Sequence, residues 1–225
     1  PAVDPTDDDP LTFTDWIVNP AYDDGTANGW ILTSENRTNM GYQNNNVYTD
    51  EATLDQFAEV WGNGFALGDS FIRQTILYLP EGTYKLEADA IAAHDVETTG
   101  MYLFAYEGDA TNISELTMDD FKNVSSMSTK ANMPKHFALI FKKESADTDL
   151  TIGAMTKETN SNWLAVDNFA LTYYGKNSHL DPSGIIEVNN AEVLRSNVIF
   201  NLAGQRINSL QKGINIVGGK KVFVK

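Results

Sequence analysis

Apolar and polar residues alternate in short runs along most of the chain, and turn residues separate the runs. After the turn at residues 80–82, apolar side chains recur at every second position from Tyr84 to Ala90, which predicts a strand with one buried face. Further strands are predicted at 101–106, 136–141, 150–155 and 163–174. Many short strands at this spacing predict an all-β fold, a jelly-roll β-sandwich, and not a parallel sheet.

Helical periodicity is nearly absent. Only two segments, 53–60 and 114–121, have apolar residues spaced as in a short helical turn. The second begins with Ser114, a favourable N-cap residue. Each of these two segments is therefore a candidate for a short helical turn beside the strands.

The turn residues also divide the chain into segments. Residues 1–10 hold three prolines and four aspartates and predict a disordered acidic tether. Residues 11–175 form the predicted jelly roll, and residues 176–184 form a turn-rich linker. Residues 185–225, with strand-like runs and a Gly-Gly hairpin signal, predict a second, small β-sandwich-like domain.

Composition narrows the classes of function. The chain lacks cysteine, so disulfides, thiolate metal sites and cysteine nucleophiles are excluded. Its formal charge of −15 repels phosphate backbones, so nucleic acid is not an expected partner. Residues 178–225 carry six basic and three acidic side chains, so the negative charge is concentrated before them. No stretch has the roughly 20 apolar residues of a membrane helix.

An ordered set of short motifs runs through the first 175 residues. They lie at 16–20, 22–25, 29–30, 59–61, 71–75, 79–84 and 166–169. In this order and spacing they resemble the galactose-binding-like jelly rolls in surface proteins of anaerobic Gram-negative bacteria, which are similar in architecture to several carbohydrate-binding module families. The resemblance implies a glycan or polysaccharide as the partner.

The tail of the chain carries a second resemblance. Residues 198–206 and 211–225 look like the C-terminal sorting domains associated with type IX secretion. This resemblance implies a secreted protein or one on the outer cell surface.

Three aspartates are candidate metal ligands. The first resemblance implies a structural calcium near the junction of the first and last strands. Asp23, Asp24 and Asp167 are the candidate ligands, and Asp23 and Asp167 match acidic positions of the family. Calcium takes six to eight oxygen ligands, several of them from backbone carbonyls in a turn. The alternative is that residues 23–25 are a simple turn and that Asp167 caps a neighbouring amide.

Aromatic residues beside amides are the candidate ligand-binding residues, because sugars stack on aromatic rings and hydrogen-bond to amides. Three clusters have this character: Trp61 with Asn63, Tyr42 with Tyr48, and Asn162 with Trp163. A core role for Trp61 or Trp163 is the alternative. Trp16 and Trp30 lie beside apolar residues and are predicted to be in the core.

No catalytic motif is apparent. The three histidines, His94, His136 and His179, do not have metal-binding spacing, and nucleophile motifs such as GxSxG are absent. The sequence therefore predicts a non-catalytic, secreted or surface-attached carbohydrate-binding protein. The alternatives are a structural or protein-docking module of a surface assembly, with a surface-protein partner, and, third, a glycoside-active enzyme with paired carboxylates.

Overall fold

The computed structural model describes residues 4–92, 98–130, 132–182, 199–201, 206–207, 213–217 and 220–224. The chain divides into two compact units, Pro1–Ile185 and Ile186–Lys225. Strands dominate the described residues, and helical structure there is limited to three 3-10 turns, at Thr14–Trp16, Ile113–Glu115 and Met118–Asp120. The all-β fold predicted from the sequence is confirmed.

Thirteen strands build the described part of the first unit. They are β1 (Leu11–Thr12), β2 (Ile31–Ser34), β3 (Asn39–Gln43), β4 (Tyr48–Thr49), β5 (Thr53–Leu54), β6 (Phe57–Trp61), β7 (Ser70–Ile76), β8 (Gly82–Ala92), β9 (Met101–Glu107), β10 (Asn123–Ser126), β11 (Lys135–Lys143), β12 (Leu150–Thr156) and β13 (Trp163–Gly175). All of their pairings are antiparallel.

Two sheets form the jelly-roll sandwich. The larger has the strand order β11-β8-β13-β6-β3, with β1 also paired to β13. The other has the order β10-β9-β12-β7-β2. Inner faces of both sheets enclose the main core, where the side chains from Tyr84 to Ala90 that were predicted to share a buried face are fully buried.

Each sheet also has a smaller apolar cluster on its outer face. The hairpin β4-β5 covers Phe57 and Trp163 at one end of the larger sheet. A segment containing Ile113 and Phe121 covers Phe71 and Phe104 on the other sheet. Central strands are therefore buried on both faces, and only part of each outer face remains open.

Two structural predictions made from the sequence are wrong in the first unit. Residues 53–60 form strands β5 and β6 instead of a helical turn, because β6 pairs with β3 on one side and β13 on the other. Ser114 caps no helix. Thr117 is the N-cap of the neighbouring 3-10 turn and forms a capping box with Asp120.

The N-terminal segment, predicted as a tether, makes specific contacts from residue 4 onward. The Asp4 carboxylate accepts a hydrogen bond from the Lys176 amide, and Asp7 accepts bonds from Ser178 and from the His179 amide. Residues 4–10 therefore lie against the chain that follows β13.

The second unit contains β14 (Ile199–Asn201), β15 (Arg206–Ile207), β16 (Gly213–Val217) and β17 (Lys220–Val224). These form an antiparallel sheet with the order β15-β14-β16-β17. The predicted strand at 185–188, the hairpin glycines 218–219 and His94 lie outside the described residues. No helix in the described ranges is long and apolar enough to cross a membrane.

Candidate binding site

A cavity of about 280 Å³ opens on the outer face of the larger sheet, at its β13-β6-β3 end. Aromatic rings and side-chain amides make up most of its wall. The lining residues are Asn39, Gln43, Asn45, Asn46, Tyr48, Phe57, Glu59, Trp61 and Trp163.

Strand register creates the hollow. Trp61 lies directly opposite Trp163 on one neighbouring strand and Asn39 on the other, so large side chains form one row across the sheet. In the next row on the same face, Glu59 lies between Gly41 and Ala165. Because both neighbours are small, the space above Glu59 is open, and a Cβ built at Gly41 would have no atom within 4 Å.

Three aromatic rings support the wall of the cavity. Trp163 is only 1% exposed and meets Tyr48 and Phe57 edge to face, with ring centroids 5.3 and 6.3 Å apart. Tyr48 also meets Phe57, at 6.0 Å. Trp61 packs against this cluster and remains half-buried. The packed rings restrain one another and hold a rigid surface against the cavity.

Glu59 lies at the centre of a hydrogen-bond network in the cavity floor. Its Oε2 accepts a 2.7 Å bond from the Trp163 indole Nε1, and its Oε1 accepts a 3.0 Å bond from the Asn39 amide. The side chain is nearly buried, with the residue 8% exposed. Both carboxylate oxygens are thus satisfied, as burial of a charged group requires.

The hairpin side of the cavity supplies neutral polar groups. Burial raises the pKa of the Tyr48 hydroxyl; a hydrogen bond with Asn46 opposes that shift, and the charge of Glu59 adds to it. Asn45 donates a 2.9 Å bond to the Gln43 side chain. Tyr48 is therefore uncharged at neutral pH, and this side offers both hydrogen-bond donors and acceptors.

The structure brings three of the sequence-predicted binding residues together, since Tyr48, Trp61 and Trp163 all line the cavity. Tyr42 does not join them. It points to the other face of β3, packs against the main core and donates a 2.9 Å hydrogen bond to Gln56. Tyr42 directly precedes the lining residue Gln43 on β3, and adjacent strand residues point to opposite faces.

Neither Asn63 nor Asn162 lines the cavity. Asn63 lies in the loop after β6 with a backbone φ of 49°, and the Asn162 carbonyl accepts a 2.7 Å bond from the Gly62 amide. These residues belong to two loops that are tied to each other beside the site. The core prediction holds for Trp30 but is wrong for Trp16, which is 47% exposed and stacks on Phe13 at 5.6 Å.

Asn39, Phe57 and Glu59 also line the cavity and were not predicted from the sequence. A signal was available for two of them, because Phe57 and Glu59 precede Trp61 by four and two positions on one strand and must share its face. Asn39 is placed by its pairing with Trp61, and that register is not legible in the sequence.

A second acidic feature, Asp167, lies within β13, next to the irregularity in its pairing with β8. Asp167 is 1% exposed, and its Oδ1 accepts a 2.7 Å bond from the Asn168 amide. Burial raises the pKa of Asp167 to about 8; that hydrogen bond opposes the shift, and the charges of Asp55, Asp89 and Asp23 increase it. Asp167 is therefore a carboxyl group in a negative field.

The other two predicted metal ligands differ in role. Asp23 is close enough to Asp167 to influence its charge. Asp24 stabilises its own turn, with Oδ1 accepting bonds from the Asn19 side chain and from Thr26. Across the described residues, no group of three or more acidic or histidine side chains is arranged to hold a metal ion.

One observation next to Asp167 fits a cation. The buried Tyr22 hydroxyl has no hydrogen-bond partner among the described residues, and burial together with the Asp167 charge raises its pKa. A cation there would draw its remaining ligands from backbone carbonyls of the neighbouring turn.

Comparison with known proteins identifies the fold of this chain but no protein family. Neither a protein-family model nor a curated protein sequence gives a significant match to this chain. A cyclase from Fischerella sp. TAU is similar in structure, with 16% identity and a TM-score of 0.53 over 74% of this chain and 98% of that one.

Two other solved structures are also similar. The CBM22-1 xylan-binding domain from Paenibacillus barcinonensis Xyn10C has 9% identity and a TM-score of 0.50, over 77% of this chain and 99% of that one. The enzymatically active domain of bacteriophage CBA120 tailspike protein 4 has 13% identity and a TM-score of 0.48; the match covers 69% of this chain but spans only 21% of that one. At such identities the likeness concerns the fold alone: the first unit shares the jelly-roll β-sandwich of a carbohydrate-binding module.

Proposed function

We propose that the first unit is a non-catalytic carbohydrate-binding module whose ligand occupies the cavity above Glu59. The observation that carries this proposal is the composition of the cavity wall. A half-buried tryptophan, Trp61, stands beside side-chain amides and one buried carboxylate on a rigid sheet face. Sugar rings need an aromatic surface for their C–H faces and paired donors and acceptors for their hydroxyls.

A second hollow adjoins the cavity and extends the surface on which a polysaccharide can lie. It is lined by Glu35, Asn36, Arg37, Thr38, Gly62, Phe65 and Ala66. Thr38 and Gly62 directly neighbour the cavity residues Asn39 and Trp61 in sequence, so this hollow lies at the same end of β3 and β6. Phe65 is 75% exposed there and offers a further ring to the ligand.

The fold supports the proposal, because one structural neighbour is a xylan-binding domain that is almost completely covered by the match. We also propose a secreted or cell-surface location, which is supported by the resemblance of the tail to type IX sorting domains.

Protein docking is the second candidate. Phe65 and Val47, which are 75% and 66% exposed, lie on loops beside the cavity and favour an apolar contact with a surface protein. Amides and a buried carboxylate in the wall favour the sugar instead.

Catalysis has less support. The cyclase neighbour has the same fold, and Asp167 has the raised pKa expected of a general acid. However, Asp167 is buried and does not line the cavity, so a substrate there would not reach it.

Calcium remains part of the proposal as a structural ion at Asp167. A buried carboxyl group in a negative field is stabilised either by a proton or by a cation, and the cation is supported by the Tyr22 hydroxyl, which has no hydrogen-bond partner among the described residues. In this role the ion would fix the turn against the last strand and would take no part in sugar recognition.

Substitution of two tryptophans tests the sugar proposal. Trp61→Ala is expected to abolish retention on every polysaccharide that slows the wild type in affinity electrophoresis. Trp16→Ala removes a more exposed tryptophan that does not line the cavity, and is expected to leave retention unchanged. Equal retention of both variants, each shown to be folded by circular dichroism, would contradict the proposal.

A further inference from the structure

We infer that the cavity selects uncharged glycans and rejects those that carry carboxylate or sulfate groups, and that Glu59 determines this selectivity. The inference rests on the proposed glycan-binding function and specifies its ligand class. Its basis is the distribution of charge in the wall together with the way Glu59 is held.

Glu59 is the only charged side chain among the nine described lining residues. The others are amides, aromatic rings and the neutral Tyr48 hydroxyl. No lysine or arginine in that set offers a counter-charge, and Glu59 makes no ion pair with a described residue. An anionic group in the cavity would therefore meet a negative charge that no neighbouring cation offsets.

The position of this charge is fixed. Hydrogen bonds from the Trp163 indole and the Asn39 amide occupy one Glu59 oxygen each, and the strand holds the backbone. The carboxylate therefore cannot turn away from an anionic ligand without breaking both bonds. Its charge already affects the cavity, since it contributes to the raised pKa of Tyr48.

Charged residues further away add no net positive charge. The lining of the adjoining hollow contains one acidic and one basic side chain, Glu35 and Arg37. On the same sheet, Lys85 pairs with Glu87 at 3.0 Å. The protein as a whole carries a formal charge of −15, which adds a general repulsion to the local one.

The test uses one polysaccharide in two matched chemical forms. Whichever neutral polysaccharide binds most tightly is converted, at the same low degree of substitution, into a carboxymethyl ether and a hydroxyethyl ether. The two ethers have substituents of comparable size but differ in charge. Affinity is measured by calorimetry at 20 mM and 500 mM NaCl, because salt screens a charge effect and leaves a steric one.

Two variants separate the local charge from the net charge. Glu59→Gln removes the charge while its side-chain carbonyl still accepts the Trp163 bond and its amide can pair with a turned Asn39. Glu144→Gln removes one exposed charge after β11, the strand at the opposite edge of the sheet. Thermal melting shows whether each variant is folded.

The inference predicts that the wild type binds the carboxymethyl ether roughly tenfold or more weakly than the hydroxyethyl ether at low salt. This ratio is expected to fall towards one in Glu59→Gln and to persist in Glu144→Gln. Equal binding of the two ethers, or an unchanged ratio in Glu59→Gln, would overturn the inference and leave glycan binding intact. Binding only to acidic polysaccharides would likewise overturn the selectivity for uncharged glycans and leave glycan binding intact. Binding to no polysaccharide would overturn both the selectivity and the proposed glycan-binding function.

Discussion

The indole Nε1–H of Trp163 donates a 2.7 Å hydrogen bond to the carboxylate of Glu59, a residue 104 positions earlier in the chain. The bond crosses from β13 to β6 and lies under the cavity floor. It gives Trp163 two functions, as packing for the hairpin β4-β5 and as the group that positions Glu59. The proposed glycan binding and the stability of the fold are therefore expected to depend on the same residue.

Trp163→Phe is expected to destabilise the fold by about 2–4 kcal/mol, because it leaves one Glu59 oxygen buried without a partner and removes ring volume. Chemical denaturation measures this cost. Glycan affinity is also expected to fall in the variant.

Trp30→Phe provides the control for this prediction. Trp30 is buried and also uses its indole, donating to the Asn19 carbonyl at 3.0 Å, but it does not line the cavity. It is expected to lose stability and keep its glycan affinity. A Trp163→Phe variant that binds glycan like the wild type would show that Glu59 does not need this bond.

The raised pKa of Asp167 predicts an unusual pH dependence. Without a bound cation, the folded state retains the Asp167 proton up to about pH 8, while the unfolded chain releases it near pH 3.8. The free energy of unfolding is thus expected to fall by up to about 1.4 kcal/mol per pH unit across this window. Thermal melts in chelator at pH 5 and pH 8 measure it, with Asp167→Asn as the variant that lacks the slope.

Bound calcium is expected to reverse this loss of stability at about pH 8, the upper end of the pH range. At pH 8, excess calcium should raise the melting temperature of the wild type above its value in chelator and leave Asp167→Asn unchanged. If calcium has no effect on the wild type while the pH slope is present, the proton alone stabilises Asp167 and the structural ion is ruled out.

The raised pKa of His136 predicts a second pH dependence of stability. It lies on β11, and hydrogen bonds to Asp89 at 2.8 Å and Glu87 at 3.2 Å raise its pKa to about 9, against the opposing effect of burial. Its ion pairs therefore contribute full stability below pH 6.5 and lose it as the pH rises to 9. The stability difference between wild type and His136→Gln is expected to shrink across that range, and NMR titration of the imidazole should give a midpoint near pH 9.

The contacts of Lys157 on the other sheet predict that replacing this residue loosens the segment packed against it. It is buried, forms an ion pair with Asp69, donates to the Leu116 carbonyl at 2.7 Å and lies 5.4 Å from the centre of the Phe71 ring. Lys157→Met is expected to cost about 2–4 kcal/mol and to speed amide hydrogen exchange in residues 110–121. Exchange that stays at the wild-type rate there would contradict the assigned role, and glycan affinity should not change.

The fold was largely predictable because most of its strands have apolar and polar residues in alternation. Tyr84 to Ala90 alternate since β8 buries a continuous inner face. Residues 53–60 misled the prediction because β6 is buried on both faces at Phe57 and Ala58, so alternation disappears and the remaining apolar spacing imitates a helix.

The site was predictable only in part. Tyr48, Trp61 and Trp163, which line the cavity, could be proposed from the sequence because they are aromatic residues beside amides. Glu59 was not predicted, because its role depends on a bond to a residue 104 positions away, and the side-chain direction of Tyr42 depends on the pairing of β3. Sequence composition identifies the chemistry, while strand register decides which residues share a face.

The four tryptophan indole N–H signals allow the most direct test of glycan binding in the cavity. Trp61 and Trp163 line it, whereas Trp16 and Trp30 do not. In a ¹H–¹⁵N NMR titration with an oligosaccharide of the best-retained neutral polysaccharide, the indole signals of Trp61 and Trp163 are expected to shift saturably while the other two stay in place. Saturable shifts confined to Trp16 or Trp30, or no shift of any indole at saturating ligand, would contradict the account.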